Sequence, residues 1–370
     1  MQTVLISGAG VAGPTLAYWL ARAGFRPTVV ERADGQRSSG NPVDVRGPAL
    51  PVVEQMGLVD TLRAAATQAT GLRFVDSTGR RGRRMSIPAS RSAAGTAEIE
   101  VPRADLAGIL YAAARDDAEF VYDDTITELD QRPDGVEVTF ERGAGRRFDL
   151  VVGADGLHST TRRLAFGPER DYIRHLGVYV ATTPLDGPPE DPRDVLLYNT
   201  PGRLVAMHPG RGTAGVAFIF RRAAVPGFDY RDLAQHRRIL AEAYAGERGW
   251  IVPDLLARAE RSDDLYFDAV SKVVLPSWSA GRVVLLGDAA ASVSLFGDGS
   301  SMAIAGARTL AGALADGDHM AAFRRYEAEH RRRTDPRRRG AGLAAALLVP
   351  KSRAGIVTRN AAARLLPAGR

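Results

Sequence analysis

The sequence contains no cysteine among its 370 residues. Disulfide bonds, thiolate metal sites, iron–sulfur clusters and cysteine nucleophiles are therefore excluded for this chain. Histidine is scarce as well: there are six, with no HExxH motif and no paired helical spacing, so we expect no protein-bound metal. The longest apolar stretch near the C-terminus, residues 341–350, has about half of the roughly 20 residues that a membrane-spanning helix needs.

Lysine is almost absent, and arginine carries most of the positive charge. Lysine and arginine together number 49 against 43 acidic residues, which gives a net charge of +6 and a pI of about 9.8. A high pI can indicate nucleic-acid binding. Here the basic excess is concentrated in 331–333 and 337–339, and no aromatic platform accompanies it. We therefore predict that the chain does not bind nucleic acid.

The N-terminus lacks the basic region and cleavage site of a signal peptide. Together with the missing cysteine, this favours a protein of the cytoplasm.

The first 31 residues have the pattern of one βαβ unit. Residues 3–7 read as a buried strand, residues 14–23 keep helical spacing, and residues 27–31 read as a second strand. Between the first strand and the helix lie Gly8, Gly10 and Gly13, and Glu31 follows 18 residues later. This order is typical of dinucleotide binding, and the carboxylate of Glu31 favours FAD or NAD over NADP. The alternative is a glycine-rich turn with a solvated glutamate.

In two later segments an apolar strand is again followed directly by a glycine, here with an aspartate close behind it. The first is Val151 to Arg162, with Asp155 in Gly-Ala-Asp-Gly; the second is Arg282 to Ala291, with Asp288 after Gly287. A glycine loop, 297–299, then opens another helix. Each segment by itself could be an ordinary turn, since Asp-Gly is a common turn pair.

Between these segments the pattern changes to short strands separated by glycine and proline, which is typical of an antiparallel sheet. We therefore predict an α/β fold: a Rossmann-like dinucleotide-binding domain, an inserted and mostly antiparallel β-sheet domain for substrate, and a C-terminal helical segment. The predicted boundaries are 1–71 with 96–170 and 276–335 for the first domain, 72–95 with 171–275 for the second, and 336–370 for a basic helical tail.

Taken in order, the three motifs and Arg103 in Val-Pro-Arg-Ala-Asp-Leu resemble the class A flavoprotein monooxygenases, the family of para-hydroxybenzoate hydroxylase and the tetracycline-inactivating monooxygenases. The resemblance covers residues 1 to about 335. It implies non-covalently bound FAD, with the three glycines at the pyrophosphate, Glu31 at the adenosine ribose and Asp288 at the ribityl chain. It places Arg46 near the isoalloxazine; the alternative role of Arg46 is that of a solvated loop arginine. The implied FAD-binding residues are Gly8, Gly10, Ala12, Gly13, Glu31, Arg32, Arg46, Arg103, Asp155, Gly287, Asp288, Gly299, Ser300, Ser301 and Met302.

The resemblance also implies the reaction. NAD(P)H, as a transient co-substrate, reduces FAD; O₂ adds at flavin C4a, and the hydroperoxide oxygenates a small molecule. Few charges fall on the middle strands, so we expect an apolar aromatic or polycyclic substrate, by analogy a secondary metabolite. Its candidate contacts are Met207, Phe218, Phe220 and Phe296, with core packing as the alternative role of each. No catalytic side chain other than Arg46 is suggested, and the oligomeric state is open.

Some positions depart from the family pattern. Ala291 replaces an expected histidine, and Leu295-Phe296 stands where proline is expected. These changes keep two alternatives open: an FAD enzyme of the same fold that performs redox-neutral cyclisation or oxidase or dehydrogenase chemistry, and a flavin-binding protein without turnover.

Overall fold

The computed structural model describes residues 1–35, 42–86, 98–187, 191–210, 214–292 and 298–365. The helices are α1 (Ala12–Arg22), α2 (Leu50–Gln55), α3 (Val59–Ala65), α4 (Arg103–Ala114), α5 (Thr160–Phe166), α6 (Leu233–Ala243), α7 (Val252–Arg261), α8 (Asp288–Ala291), α9 (Asp298–Ala315), α10 (His319–Leu348) and α11 (Arg353–Leu365).

The strands up to the third motif are β1 (Thr3–Ser7), β2 (Arg26–Val30), β3 (Val43–Val45), β4 (Gly71–Val75), β5 (Met85–Ser86), β6 (Ile99–Val101), β7 (Glu119–Val121), β8 (Ile126–Arg132), β9 (Gly135–Phe140), β10 (Arg146–Phe148) and β11 (Leu150–Gly153). The remaining strands are β12 (Ile173–Pro184), β13 (Asp194–Thr200), β14 (Arg203–His208), β15 (Gly215–Arg221), β16 (Tyr266–Val273), β17 (Ser279–Ala280) and β18 (Val283–Leu285).

A six-stranded sheet in the order β17-β18-β11-β1-β2-β7 forms the centre of the dinucleotide-binding part. Its strands are parallel except for β17. Val4 and Ile6 pack against helices on one face, whereas Leu5 packs on the other face, against the antiparallel sheet β10-β9-β8. Burial on both faces explains why these strands read as continuous apolar runs.

A seven-stranded sheet in the order β16-β12-β15-β14-β13-β4-β5 forms the second layer. Most neighbouring pairs are antiparallel, and β13 with β4 is parallel. One face is covered by α6 and α7, through Ile239, Leu240 and Leu255. The predicted α/β fold with a mostly antiparallel insert is thus confirmed.

The C-terminal region differs from the expected pattern. α10 begins at His319 and continues through Pro336 to Leu348, so it crosses the boundary that we predicted between residues 335 and 336. Its end is anchored to the second sheet, because Arg221 donates from Nη2 to the carbonyl of Ala345 at 3.1 Å and from Nε to that of Val349 at 2.5 Å. Periodicity alone did not reveal this anchor, which lies more than 120 residues away in sequence. None of the described helices is both long and apolar enough to cross a membrane.

Candidate active site

The glycine turn between β1 and α1 is shaped by close backbone approaches. Gly8 has φ +107°, and a Cβ there would lie 2.5 Å from the carbonyl oxygen of Ala154. A Cβ on Gly13 would lie 1.9 Å from the carbonyl oxygen of Gly8. Around Gly10, in contrast, no heavy atom lies within 4 Å of the Cβ position, and Gly10 lines a cavity. Gly8 and Gly13 therefore build the turn, while Gly10 leaves room in front of it.

Glu31 follows β2 and holds the turn in place. Its Oε2 accepts from the backbone N–H of Ala9 at 2.8 Å, and its Oε1 accepts from that of Ala33 at 3.0 Å. The residue also lines the cavity. Because a carboxylate oxygen has two lone pairs, each oxygen can accept a second hydrogen bond from a ligand hydroxyl.

Asp288 begins α8 at the end of β18 and lines the same cavity, as do Arg103 and Tyr266. Burial raises the pKa of the Asp288 carboxyl, and the positive charge of Arg103 partly offsets this. Burial, with the charge of Asp268 and of Asp288, also raises the pKa of the Tyr266 hydroxyl. The cavity thus contains polar groups that are suited to hydrogen bonds with a ligand.

Three elements converge where α9 begins. Gly287 has φ +64°, and a Cβ there would lie 3.3 Å from that of Ala12 and 3.6 Å from that of Ala303. Gly299 and Ser300 line the cavity, and Met302 is buried behind them. A helix N-terminus offers backbone N–H groups and a positive dipole end, which suit a ligand that carries or develops negative charge.

Ser301 and Arg46 join α9 to β3. Ser301 Oγ donates to the carbonyl of Asp44 at 2.7 Å and accepts from the backbone N–H of Arg46 at 3.0 Å. The guanidinium of Arg46 lies 2.8 Å from Asp298 and 3.3 Å from Asp44. Burial raises the pKa of Asp44 to about 6, against the effect of Arg46. Arg46 is held by acidic side chains and is not among the residues that line the cavity.

Asp155 organises the second motif from within. Its Oδ2 accepts from the backbone N–H and the hydroxyl of Thr161, each at 2.9 Å, and from Ser7 Oγ at 3.3 Å. Ser159 Oγ donates to Oδ1 and also caps α5. These four donors come from the protein itself, so Asp155 ties β1, β11 and α5 together rather than facing the cavity.

Arg32 also turns away from the cavity. It donates to Thr160 Oγ1 at 2.9 Å and lies 3.4 Å from the hydroxyl of Tyr230. It therefore connects the end of β2 to α5 and to the segment before α6.

His158 forms a cluster beside these contacts. Its Nδ1 lies 2.9 Å from Glu169 Oε1, and its Nε2 lies 3.1 Å from Asp268 Oδ1 on β16. Burial by itself would lower the pKa of His158, but the hydrogen bonds to Asp268 and Glu169 outweigh it and raise the pKa to about 9. His158 is therefore positively charged at neutral pH and links the two sheets.

One cavity of about 560 Å³ extends from the glycine turn to the seven-stranded sheet. It brings together six of the predicted FAD-binding residues: Gly10, Glu31, Arg103, Asp288, Gly299 and Ser300. The other nine are not among its lining residues: Gly8, Ala12, Gly13, Arg32, Arg46, Asp155, Gly287, Ser301 and Met302. Most of these nine stabilise the elements from which the six project.

The face of the sheet that we expected to contact substrate requires correction. Phe218 and Phe220 are fully buried on the opposite face, where both rings contact Tyr244 edge-on at 5.4 and 5.8 Å. Met207 packs with that cluster too. Because side chains alternate along a strand, it is Ala217 and Ile219 that line the cavity. Phe296 lies outside the described residues.

Sequence reasoning also missed cavity residues. Tyr122 directly follows β7, Leu157 directly follows Gly-Ala-Asp-Gly, and Ser292 directly follows the third motif. The signal that could have found them is position, since ligands of open α/β sheets bind at the carboxyl ends of the strands. The apolar residues of the sheet face that line the cavity are Leu72, Val180, Val195, Leu197, Leu204, Ala206, Ala217, Ile219 and Val270.

The residues present fit FAD. Open space lies in front of Gly10, where a pyrophosphate could approach the backbone, and α1 has no side-chain cap or acidic residue in its first turn. Ser292 Oγ is buried in the cavity wall without a hydrogen-bond partner among the described residues. A polar ligand would supply that partner.

Comparisons with known proteins agree with this arrangement. A family model described as the FAD binding domain matches residues 1–334. The uncharacterized protein Rv1260 of Mycobacterium tuberculosis (strain ATCC 25618 / H37Rv) is 39% identical over 337 residues, which cover 89% of this chain and 90% of that protein. A flavin-dependent monooxygenase of an unknown prokaryotic organism is 36% identical over 332 residues, which cover 88% and 84% of the two chains. The crystal structure of tetracycline destructase Tet(55) superposes with a TM-score of 0.86 at 33% identity, over 98% of this chain and 95% of that one.

Proposed function

Since the chain belongs to the class A FAD-dependent monooxygenases, we propose that it uses NAD(P)H and O₂ to oxygenate an apolar aromatic or polycyclic small molecule, a secondary metabolite. A cytoplasmic location, where NAD(P)H is available, is part of the same proposal.

The observation that carries the proposal is the continuity of the cavity. Its dinucleotide end contains Gly10 and Glu31, and its other end is walled by aliphatic side chains of the seven-stranded sheet. A ligand at the sheet would therefore lie directly against the FAD site. When bound, FAD supplies the redox chemistry, accepting a hydride from NAD(P)H and activating O₂.

The residues of the chain act by binding and orientation. In this proposal the backbone at Gly10 and the N-terminus of α1 bind the pyrophosphate, and Glu31 accepts from the adenosine ribose. Asp288 holds the ribityl hydroxyls, and the N–H groups at Gly299 and Ser300 face the pyrimidine edge of the flavin.

The apolar wall excludes water from the reacting face. Val180, Leu204 and Ile219 are part of this wall. Their aliphatic side chains carry no group that would be oxygenated in place of the substrate. Exclusion of water protects reactive intermediates from side reactions. The name of the structural neighbour, tetracycline destructase, supports a substrate with fused rings.

The test measures flavin content first and then turnover. The purified protein is expected to show the spectrum of bound oxidised flavin, and to consume NAD(P)H and O₂ faster when a substrate such as tetracycline or a simpler fused-ring phenol is added. Oxygenated product identified by mass, with one atom from ¹⁸O₂, supports the proposal. Asp288→Asn is expected to lower FAD affinity, whereas Asp105→Asn, on the exposed side of α4, is the matched control.

The same assay distinguishes oxygenation from the redox-neutral alternative. Ala291 is buried at the end of α8, 5% exposed, and its methyl group can neither donate nor accept a proton. Product that forms without NAD(P)H consumption and without ¹⁸O would replace oxygenation by redox-neutral chemistry. A protein without flavin, before and after addition of FAD, would contradict both.

A further inference from the structure

Two polar atoms on the sheet wall of the cavity have no hydrogen-bond partner among the described residues. They are Thr182 Oγ1 and His208 Nδ1, and both are buried. Buried polar groups in folded proteins are nearly always paired, so an unpaired atom in a cavity wall indicates a ligand that supplies the partner. Tyr266 and Asp268 on β16 also carry polar groups in this wall, but these groups are paired, since Tyr266 donates its hydroxyl to Asp268 Oδ2 at 3.4 Å. The other described sheet residues of the wall are aliphatic, so Thr182 and His208 carry its unpaired polar atoms.

The strand register gives their relative positions. Thr182 pairs with Ala217, and Ala217 pairs with Ala206. These residues lie in one row across β12, β15 and β14, and His208 lies two residues farther along β14. With about 4.8 Å between strands and about 3.4 Å per residue along a strand, the Cα atoms of Thr182 and His208 are separated by about 12 Å.

The space between the two polar residues has a shallow floor. Ala206 and Ala217 lie side by side in the row of Thr182, and the longer side chains of Leu204 and Ile219 lie beside them, on the side away from His208. Small side chains next to branched ones suit a flat ring system that lies against the sheet.

The surroundings of His208 determine which of its nitrogens is free to accept. Its Nε2 lies 3.8 Å from Glu100 Oε1. Burial lowers the pKa of His208, against the effect of Glu100, so the imidazole is neutral at pH 7. The adjacent carboxylate favours the tautomer with the proton on Nε2, which leaves Nδ1, the atom without a partner among the described residues, as an acceptor.

We propose that His208 and Thr182 determine which substrates bind at the sheet end of the cavity: His208 Nδ1 accepts from a hydroxyl of the substrate, and Thr182 Oγ1 bonds to a second oxygen about two rings away. This assignment rests on the proposed function, because it takes the sheet end of the cavity as the substrate site. It adds the polar pattern of the substrate and the two residues that recognise it.

The first test measures binding without turnover. The oxidised holoenzyme, without NAD(P)H, is dialysed to equilibrium with 2-naphthol or with 2-methoxynaphthalene, which has the same oxygen but no O–H to donate. The wild type is expected to prefer 2-naphthol about fivefold to tenfold, the value of one hydrogen bond. His208→Leu is expected to abolish this preference. His208→Asn is expected to keep it, because its amide oxygen lies near the position of Nδ1.

His175→Leu is the matched control. His175 lies on β12 of the same sheet, and its Nδ1 also lacks a partner among the described residues, but it does not line the cavity. Its substitution is expected to leave the preference unchanged. FAD content confirms that each variant is folded; should His208→Leu lose FAD, His208→Gln serves instead, because its amide oxygen lies nearer the position of Nε2.

The second test addresses Thr182. The wild type is expected to bind 2,6-dihydroxynaphthalene several-fold more tightly than 2-naphthol, and Thr182→Val is expected to remove that gain. Equal affinity of the wild type for 2-naphthol and its methyl ether, no binding of either, or a preference that persists in His208→Leu would overturn the proposal. Binding is read without NAD(P)H or O₂ consumption, so this failure is distinguishable from failure of the monooxygenase assay.

Discussion

The rings of His158 and Tyr230 are parallel, with centroids 3.8 Å apart and an angle of 1° between their planes. The stacked pair lies where the dinucleotide-binding part meets the second sheet, since His158 also contacts Asp268 on β16. A cationic ring held between two carboxylates and an aromatic face stabilises this junction.

Because of this junction, we expect the free energy of unfolding to decrease at alkaline pH. The folded-state pKa of His158 is about 9, above the unfolded value of 6.5. The stabilisation is therefore fully present below about pH 6.5 and is lost as the pH rises through about 9; it amounts to about 3 kcal/mol at most. Urea unfolding of the wild type between pH 6 and 9.5 is expected to show this decline, and His158→Gln is expected to flatten it. If the free energy of unfolding declines equally with pH in both proteins, His158 is not the group responsible.

His330 has the opposite dependence, at acidic pH. Burial, together with Arg333 and Arg337, lowers its pKa to about 4. The unfolded state binds the proton more readily, so the contribution of His330 is fully present above about pH 6.5 and is lost as the pH falls toward 4.

Acid unfolding monitored by circular dichroism checks this. We expect His330→Leu to reduce the loss of stability between pH 6.5 and 4.5 relative to the wild type. Arg26→Leu, which removes an exposed charge at the start of β2, is expected to leave the loss unchanged. The prediction is wrong if His330→Leu loses as much stability between pH 6.5 and 4.5 as the wild type does.

We expect substitutions at two glycines of the turn to have different effects, one on folding and the other on FAD binding. Gly13→Ala places a methyl group against the carbonyl of Gly8 and is expected to lower the thermal stability of the apoprotein by several degrees or prevent folding. Gly10→Ala has room within the protein but intrudes into the cavity. It is expected to fold normally and to bind FAD at least tenfold more weakly, as measured by titration of the apoprotein.

If both substitutions lower stability equally and leave FAD affinity unchanged, the division of roles within the turn is wrong. Gly24→Ala, outside the cavity and without close neighbours but at φ +84°, reports the effect of backbone strain alone.

The two faces of the second sheet predict a further contrast. Phe218→Ala removes a fully buried ring and is expected to destabilise the protein by about 3–5 kcal/mol. Ala217→Leu, at the next residue, fills the cavity instead and is expected to abolish binding of 2-naphthol while FAD is retained. Denaturant unfolding and equilibrium dialysis measure the two effects. Loss of 2-naphthol binding in a folded Phe218→Ala variant, with binding intact in Ala217→Leu, would place the substrate on the other face.

Much of the dinucleotide site was predictable because its signals are local. Gly8, Gly10, Gly13 and Glu31 fall within one βαβ unit, whose geometry the spacing largely determines. What spacing does not show is which residues contact the ligand and which support those that do. Asp155 illustrates this. Three of the donors that occupy its carboxylate come from Ser159 and Thr161, at the start of α5, and the fourth is Ser7 on β1, which reaches Asp155 only in the folded protein.

The substrate face was not predictable, for a different reason. Both faces of the second sheet are apolar, so the alternation along β15 gives two equally hydrophobic sets, Val216 with Phe218 and Ala217 with Ile219. The aromatic set was the more conspicuous, and it forms the core with α6 and α7. Only the positions of those helices, which are set by long-range packing, show which set faces the cavity.

That alternation separates two evolutionary demands on the same strands. Substitutions at Leu204, Ala206, Ala217 or Ile219 reshape the cavity, while the interleaved Val205 and Phe218 remain in the core. A lineage can therefore change its substrate through single-nucleotide steps at alternate codons without first losing the fold. An insertion or deletion of one residue within β14 or β15 would exchange the cavity-facing and core-facing side chains beyond it. We expect selection to remove such variants.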